Sequence, residues 1–387
     1  MKKYIAKMDL WLLLIMLIFS AFGLLMIFSS SSIAAVLRYQ VDSSYFFLKQ
    51  LFFIVVSFLV GFIIVLRIKT DYYYKFVPWL ALGIVVVLLS LFVYGEVANG
   101  AQSWYRKGIF GIQPLEFAKS IMIMFMAIFY NFIYYKTRPK KYAALFPVAY
   151  GLILAVLTAM QPDLGGALIV AAITGLIFLA VPLNKELKLK IFKVLGVGLL
   201  LVLLIFLISG KHLLNSMQSS RLNFLNPCSR YMEDTGYQVC NGYIAIHNGG
   251  LLGVGLGDSS QKYLYLPEAH TDFIFPIICE ELGAIVGVLV ILLYAVLLYR
   301  VLKISKEATN LKNSILAYGT FLLILCHVLV NLLGVLGLIP LTGVPLPFLS
   351  YGGSFNVNVI LMLFVVERVA IENKEAAISR KMKELRT

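Results

Sequence analysis

Charged side chains lie inside or beside apolar stretches of this sequence, where an unpaired charge costs several kcal/mol unless it is neutralised. Glu116 and Lys119 follow Pro114, and proline favours the first turn of a helix. Their spacing places them on one helix face, where they can neutralise one another. The pair is open to two interpretations, a functional charge site or a structural ion pair.

Further acidic residues stand at the starts of apolar runs or within them. Asp163 directly precedes one run and is expected to cap the helix that begins there. Another run begins just after Asp272, and either Thr271 or Asp272 is expected to cap that helix. The adjacent carboxylates Glu280 and Glu281 lie inside this second run, and capping does not explain them.

The elements that carry these side chains are apolar segments of about 20 residues, the length a helix needs to cross a ~30 Å hydrocarbon layer. The 387-residue chain is 61% hydrophobic and 13% charged, which excludes a soluble globular fold. We predict an all-α polytopic membrane protein with ten transmembrane helices. They are Leu10–Ser29, Phe46–Leu66, Phe76–Tyr94, Pro114–Tyr134, Ala143–Met160, Leu164–Pro182, Ile191–Ser209, Phe273–Leu298, Ile315–Leu338 and Asn356–Ala370.

The positive charge is concentrated in alternate loops and at the termini. The formal net charge is +14, and most of the 33 Lys and Arg residues fall on one side of the predicted spans. The positive-inside rule places that side, with both termini, in the cytoplasm. Topology therefore explains the charge without a nucleic acid partner. We predict one transmembrane domain over residues 1–372, with a long outward loop at about 210–271, and a basic cytoplasmic tail over 373–387.

The long outward loop carries two cysteines and a run of glycines. Cys228 and Cys240 can form a disulfide, worth roughly 3 kcal/mol by loop closure, or remain two thiols. The run at 249–257 lacks the strand-to-helix context of a dinucleotide-binding loop. Its glycines are interpreted as hinges or as sites of close backbone approach.

Five motifs in order along the chain are similar to those of the SEDS family, which includes FtsW, RodA and SpoVE. They lie at 100–104 with 113–119, at 161–165, at 266–275, at 280–283 and at 345–354. The resemblance extends over nearly the whole chain. Residues 265–270 look like FtsW or SpoVE and residues 341–348 like RodA, and the FtsW-like side is favoured.

The resemblance implies a peptidoglycan glycosyltransferase of the bacterial cytoplasmic membrane, serving cell division or cell-wall elongation. It would polymerise lipid II at the outer face, with undecaprenyl diphosphate as the leaving group. The essential aspartate of the family falls on Asp272, as the base, as the ligand of a divalent cation (Mg²⁺ or Mn²⁺), or as both. One carboxylate can suffice, because a diphosphate leaves without being protonated. No organic cofactor is expected.

The same resemblance suggests further residues that bind substrate or stabilise charge. These are Trp104, Gln113, Glu116, Lys119, Asp163, Arg221, Lys262, Glu280, Glu281, Ser350 and Tyr351. The implied partners are lipid II, a class B penicillin-binding protein that acts as transpeptidase, and other divisome or elongasome membrane proteins. The alternatives are a flippase for lipid-linked precursors and a non-catalytic scaffold for a transpeptidase.

Overall fold

The structure is a computed structural model that describes residues 4, 6–98, 101–107, 110–135, 143–183, 185–186, 188–190, 193 and 224–385. Its architecture is a bundle of apolar helices with two small additions at one end. The α-helices are α1 (Leu10–Leu37), α2 (Tyr45–Ile63), α3 (Tyr73–Tyr94), α4 (Pro114–Tyr135), α5 (Leu145–Met160), α6 (Leu164–Ala180), α7 (Asp234–Gly249), α8 (Ile274–Lys306), α9 (Leu311–Val335) and α10 (Gly353–Glu384).

Nine of the ten predicted spans fall on helices of the described part of the chain. Seven helical segments there are long and apolar enough to cross a membrane, and the apolar helices α5 and α6 are shorter, at 16 and 17 residues. The predicted span Ile191–Ser209 lies outside the described residues. The chain is a multi-pass membrane protein. Helix α10 continues to Glu384, so most of the predicted tail extends the last helix.

Helix starts follow local chemistry at several places. The carboxylate of Asp9 accepts from the Leu12 backbone N–H and caps α1, and the Asn310 side chain accepts from Asn313 N–H and caps α9. Helix α10 lies at the centre of the bundle: 89% of its most apolar stretch is buried, against 22% in the spans that contain α2 and α3. The outer helices therefore present most of their apolar surface to lipid.

Two small elements are additions to the predicted helical fold. A three-stranded antiparallel sheet, β1 (Glu96–Ala98), β2 (Ala101–Lys107) and β3 (Phe110–Ile112), connects α3 to α4. In the long loop, a short 3₁₀-helix (Pro227–Arg230) leads into α7, which packs on α8. A disulfide joins Cys228 to Cys240 and links the 3₁₀-helix to α7. Of the two alternatives left open by the sequence, a disulfide or two thiols, the structure has the disulfide.

The glycine run at 249–257 is a site of close backbone approach. A Cβ atom on Gly249 would lie 2.0 Å from the carbonyl oxygen of Cys279, and one on Gly253 would lie 2.3 Å from that of Glu281. Residues 249–257, called the glycine loop below, therefore pack directly against the backbone of α8. The interpretation of close approach is confirmed.

Candidate active site

Asp272 lies in the turn between the long loop and α8, and its side chain is half-buried. Its backbone carbonyl accepts a hydrogen bond of 2.9 Å from Nδ2 of Asn331 on α9. The same amide donates to the carbonyl of Val344, at 2.8 Å. Asn331 therefore ties Asp272 to the segment that precedes α10. Asn331 could not be identified from the sequence, because the contact joins residues 59 positions apart.

The two residues before Asp272 are held by the predicted site residues Ser350 and Tyr351. Ser350 Oγ donates to the carbonyl of Thr271 at 2.6 Å, and the Tyr351 backbone N–H donates to the carbonyl of His270 at 2.8 Å. Ser350 is fully buried, so its hydroxyl has no access to water. Together with Asn331, these contacts fix the backbone around the aspartate from two sides.

Capping of α8 by Thr271 or Asp272 is wrong. The N-cap residue is Phe273, whose side chain makes no capping hydrogen bond. The chain turns between 268 and 273, and Thr271 Oγ1 instead donates to the carboxylate of Glu268 at 2.8 Å. The Asp272 carboxylate faces the segment before α10, since a Cβ on Gly343 would lie 3.2 Å from its Oδ2.

A second acid lies at the start of α6. Asp163 caps that helix as predicted, with its Oδ1 accepting from the backbone N–H of Gly166 at 2.8 Å. Its other oxygen lies 3.4 Å from Nε2 of Gln113. A Cβ on Gly165 would lie 2.9 Å from Cβ of Thr342, the neighbour of Gly343. The segment before α10 therefore contacts both the start of α6 and Asp272, so Gln113, Asp163 and Asp272 lie at the same end of the bundle.

Glu116 and Lys119 form a buried ion pair on α4, with Nζ and Oε2 2.9 Å apart. Lys119 Nζ also lies 2.9 Å from Nε2 of His327 on α9, whose ring stacks on Phe355 of α10. Lys119 is only 1% exposed. The ammonium is therefore neutralised inside the bundle, where it joins three helices. His327 could not be identified from the sequence, because its contact with Lys119 depends on the packing of α9 against α4.

Lys262 and Glu281 form a second buried ion pair, with Nζ and Oε1 2.9 Å apart. The hydroxyl of Ser29 on α1 donates to the same carboxylate at 2.7 Å. The neighbouring Glu280 accepts from the Ser260 hydroxyl at 2.9 Å and from the hydroxyl of Ser259. These contacts fasten the end of the long loop to α8 and α1, and they account for both intramembrane carboxylates.

Of the remaining predicted residues, Trp104 and Arg221, the structure describes only Trp104. Trp104 lies on β2, with the Arg106 guanidinium 5.8 Å from its ring. Arg221 lies outside the described residues. Within the described part of the chain, no three His, Cys, Asp or Glu side chains lie close enough together to hold a metal ion.

A cluster of aromatic rings and cations lies next to the Asp272 turn. The rings of Phe46, His270 and Tyr351 are in mutual contact, with centroids 4.8 to 5.8 Å apart. Arg38 donates to the carbonyl of Pro267 at 2.9 Å. Burial and the charge of Arg38 lower the pKa of His270 to about 4, so its ring is neutral at pH 7.

Arg38 and Arg106 are exposed cations at this cluster, and both act on Tyr39. Burial and the charge of Glu268 raise the pKa of Tyr39, and the two guanidinium groups oppose that rise. The sequence did not single out Arg38, which follows α1 in the chain and reaches the Asp272 turn only through tertiary packing.

Comparison with known proteins identifies similar sequences over nearly the full length. The family described as "Cell cycle protein" (FTSW_RODA_SPOVE) matches residues 9–375. The probable peptidoglycan glycosyltransferase FtsW of Bacillus subtilis strain 168 is 36% identical, over 97% of this chain and 94% of the relative. Stage V sporulation protein E of the same organism is 37% identical, over 92% and 94%.

Two solved structures share the fold. A chain of a peptidoglycan synthase complex that coordinates polymerization and crosslinking matches with a TM-score of 0.73 and 23% identity, over 95% of this chain and 98% of its own. The rod shape determining protein RodA of Thermus thermophilus matches with a TM-score of 0.63 and 24% identity, over 94% and 96%. The helical membrane fold predicted from the sequence is confirmed.

Proposed function

Because the chain belongs to the FtsW, RodA and SpoVE family of cell cycle proteins, we propose that it polymerises lipid II at the outer face of the cytoplasmic membrane. It is a peptidoglycan glycosyltransferase, and its similarity to FtsW and SpoVE confirms the FtsW-like prediction. The observation that carries the proposal is the half-buried Asp272, whose backbone is fixed by Asn331 while the residue before it is held by Ser350.

In this proposal Asp272 is the general base. The 4-hydroxyl oxygen of one disaccharide attacks the anomeric carbon of another, and the bond from that carbon to the diphosphate oxygen breaks. The hydroxyl proton passes to the Asp272 carboxylate, and the diphosphate leaves with the electron pair. The hydrogen bonds to the backbone carbonyls of residues 270–272 support a defined position for the carboxylate.

The negative charge of the diphosphate needs cations that water and substrate can reach. Lys119 and Lys262 are buried and neutralised by Glu116 and Glu281, which supports a positioning role for both. Arg38 and Arg106 are exposed beside the Asp272 turn and are better situated to meet the diphosphate.

A divalent cation fits this site only together with substrate. Mg²⁺ is usually held by one or two carboxylates plus substrate phosphates, and Asp272 can supply one such carboxylate. A bound Mg²⁺ or Mn²⁺ would neutralise part of the diphosphate charge. Asp163 is a further acid at the same end of the bundle.

We further propose that the glycan product is passed to a crosslinking partner, a class B penicillin-binding protein, within a larger divisome assembly. The fold match to a chain of a peptidoglycan synthase complex supports such a partner. The cytoplasmic location of both termini belongs to the same proposal, since it puts the Asp272 end outside.

The deciding experiment measures polymerisation of purified lipid II by the protein with its cognate transpeptidase, in Mg²⁺, for the parent and for Asp272→Asn. We expect long glycan strands from the parent and none from the variant. Asp258→Asn is the matched control, because Asp258 is an exposed acid of the same loop and is expected to leave polymerisation unchanged.

Equal polymer from the parent and from Asp272→Asn would remove Asp272 from the chemistry. Polymer from neither protein, together with translocation of a fluorescent lipid II across liposomes, would favour the flippase. Both variants should first show the thermal unfolding profile of the parent, so that a lost fold is not mistaken for lost chemistry.

A further inference from the structure

Helix α8 is interrupted inside an apolar segment, and the glycine loop satisfies the interrupted backbone. Gly283 has φ 85° and ψ 164°, far from helical values. The backbone N–H groups of Ala284 and Ile285 donate to the carbonyls of Gly250 and Leu251, at 2.9 and 3.3 Å. In return, two N–H groups of the loop donate to the carbonyls of Glu280 and Glu281, at 2.9 and 3.0 Å.

The contact between the glycine loop and α8 around Gly283, called the junction below, has glycines on both sides. A Cβ on Gly283 would lie 2.2 Å from the carbonyl oxygen of Leu251, and one on Gly253 would lie 2.6 Å from N of Gly283. Both residues also have positive φ, which side chains other than glycine rarely adopt. The loop therefore meets α8 backbone to backbone, which leaves its side chains free to point away.

The side chains that point away are apolar. The four aliphatic residues of the glycine loop are between 45% and 83% exposed on the chain alone, with Leu252 the most exposed. No charged residue occurs between Gly249 and Gly257. The nearby surface of α8 is also apolar and exposed, through Ile285, Val288 and Leu289. The loop thus extends the lipid-facing surface of that helix without a polar break.

The depth of the junction follows from the length of α8. Arg300 forms an ion pair with Asp9 near the opposite, basic end of the helix. Ala284 precedes Arg300 by 16 residues, which is about 24 Å at ~1.5 Å per residue. That distance is less than the ~30 Å thickness of the hydrocarbon layer. The junction therefore lies within the layer, near its edge at the Asp272 end.

We propose that the glycine loop is immersed in the leaflet at the Asp272 end, with its aliphatic side chains among lipid acyl chains. Lipid is the occupant because the loop surface continues the lipid-facing surface of α8. Irregular backbone is tolerated at this depth only where its polar groups are bonded within the protein, and the exchange with α8 supplies those bonds. The exposed Asp258, and the half-exposed Tyr263 and Tyr265 beyond it, mark the return to the interface.

The test places a nitroxide spin label on Leu252→Cys and, separately, on Leu256→Cys, in liposomes of phosphatidylglycerol and phosphatidylethanolamine. The background carries Cys326→Ala and keeps the Cys228–Cys240 disulfide oxidised, while Cys279 is buried. Val288→Cys is the lipid-facing control, and Met232→Cys, fully exposed in the long loop, is the aqueous control. Collision rates with oxygen and with a water-soluble nickel chelate are measured for each label.

We expect the ratio of oxygen to nickel collisions at positions 252 and 256 to approach that at 288 and to exceed that at 232 several-fold. A ratio equal to that at 232 would put the loop in water and overturn the proposal. Protection of both positions from both reagents would overturn it as well, since a protein surface would then cover the loop. Retained polymerisation by the labelled proteins verifies the fold.

Discussion

At the residue scale, the position of Asp272 depends on a few buried hydrogen bonds made by distant residues. Removing the Ser350 hydroxyl leaves the carbonyl of Thr271 and the N–H of Leu346 without this partner. We expect Ser350→Ala to cost ~1–3 kcal/mol of unfolding free energy and to lower kcat, because the turn that carries Asp272 is loosened. Thermal unfolding in detergent and polymerisation rates measure the two effects.

The control for that variant is Ser305→Ala. Ser305 is also a buried serine that donates to a backbone carbonyl, that of Ser314, but it lies at the opposite end of α8. A similar loss of stability with unchanged kcat is expected there. If both variants lower kcat equally, general destabilisation explains the effect and Ser350 has no positioning role.

The pair of Glu116 and Lys119 makes a separate prediction about buried charge. Removing one partner leaves the other unpaired in an apolar environment. We therefore expect Glu116→Gln and Lys119→Met each to lower the free energy of unfolding by ~3–5 kcal/mol. Removing both together should recover most of that loss. Glu233→Gln, which breaks a pair with the same spacing whose glutamate side chain is 46% exposed, should change the free energy of unfolding by less than ~1 kcal/mol. A double variant as unstable as the single ones would contradict this account.

His270 predicts a pH dependence of stability. Burial lowers its pKa from the ordinary value of 6.5 to about 4 in the folded chain, so between these two pH values the unfolded chain binds a proton that the folded chain does not. Stability from this group is fully present above pH 6.5 and is lost as pH falls towards 4, by about 3 kcal/mol in total. His270→Phe should lose much of that dependence between pH 7 and 5 in thermal unfolding. The control variant His247→Phe, which removes an exposed histidine, should keep the pH dependence of the parent.

The residue patterns that could be predicted were local ones. A spacing of three on one helix is enough to predict the contact of Glu116 with Lys119, and an acid before an apolar run is enough to predict the cap at Asp163. Asn331, His327 and Arg38 carry no such signal. Each reaches the site only because helices distant in sequence pack together.

At the element scale, the glycine loop and the break in α8 form one unit. A Cβ on Gly253 would lie 2.3 Å from the carbonyl oxygen of Glu281, and its φ of +83° is strained for alanine. We expect Gly253→Ala to destabilise the chain and to expose α8 to proteolysis near Gly283. Gly175→Ala in α6 is the matched control, since nothing lies within 4 Å of its Cβ position and alanine favours helix by about 1 kcal/mol. Equal protease resistance of both variants would argue against a docked loop.

The sequence predicted apolar elements well and small polar ones poorly. A run of about 20 apolar residues is a strong signal for a spanning helix, and nine such predictions fall on described helices. The sheet between α3 and α4 has strands of three to seven residues, too short for alternation to stand out. Helix α7 contains many polar residues, so its sequence was assigned to the long loop and no helix was predicted there. The cap of α8 was mispredicted because a turn immediately before the helix resembles a capping sequence.

At the scale of the whole molecule, every functional assignment depends on the orientation in the membrane. The distribution of Lys and Arg predicts that the Asp272 end faces outward and that the end of α10 faces the cytoplasm. Met232, fully exposed in the long loop, and Arg380, exposed near the end of α10, are suitable positions for single cysteines. A membrane-impermeant maleimide should label Met232→Cys in intact bacterial cells, once any outer membrane is opened, and Arg380→Cys only after the cytoplasmic membrane is permeabilised. The reverse pattern would put Asp272 in the cytoplasm, where a polymerase acting on lipid II at the outer face has no access to its substrate.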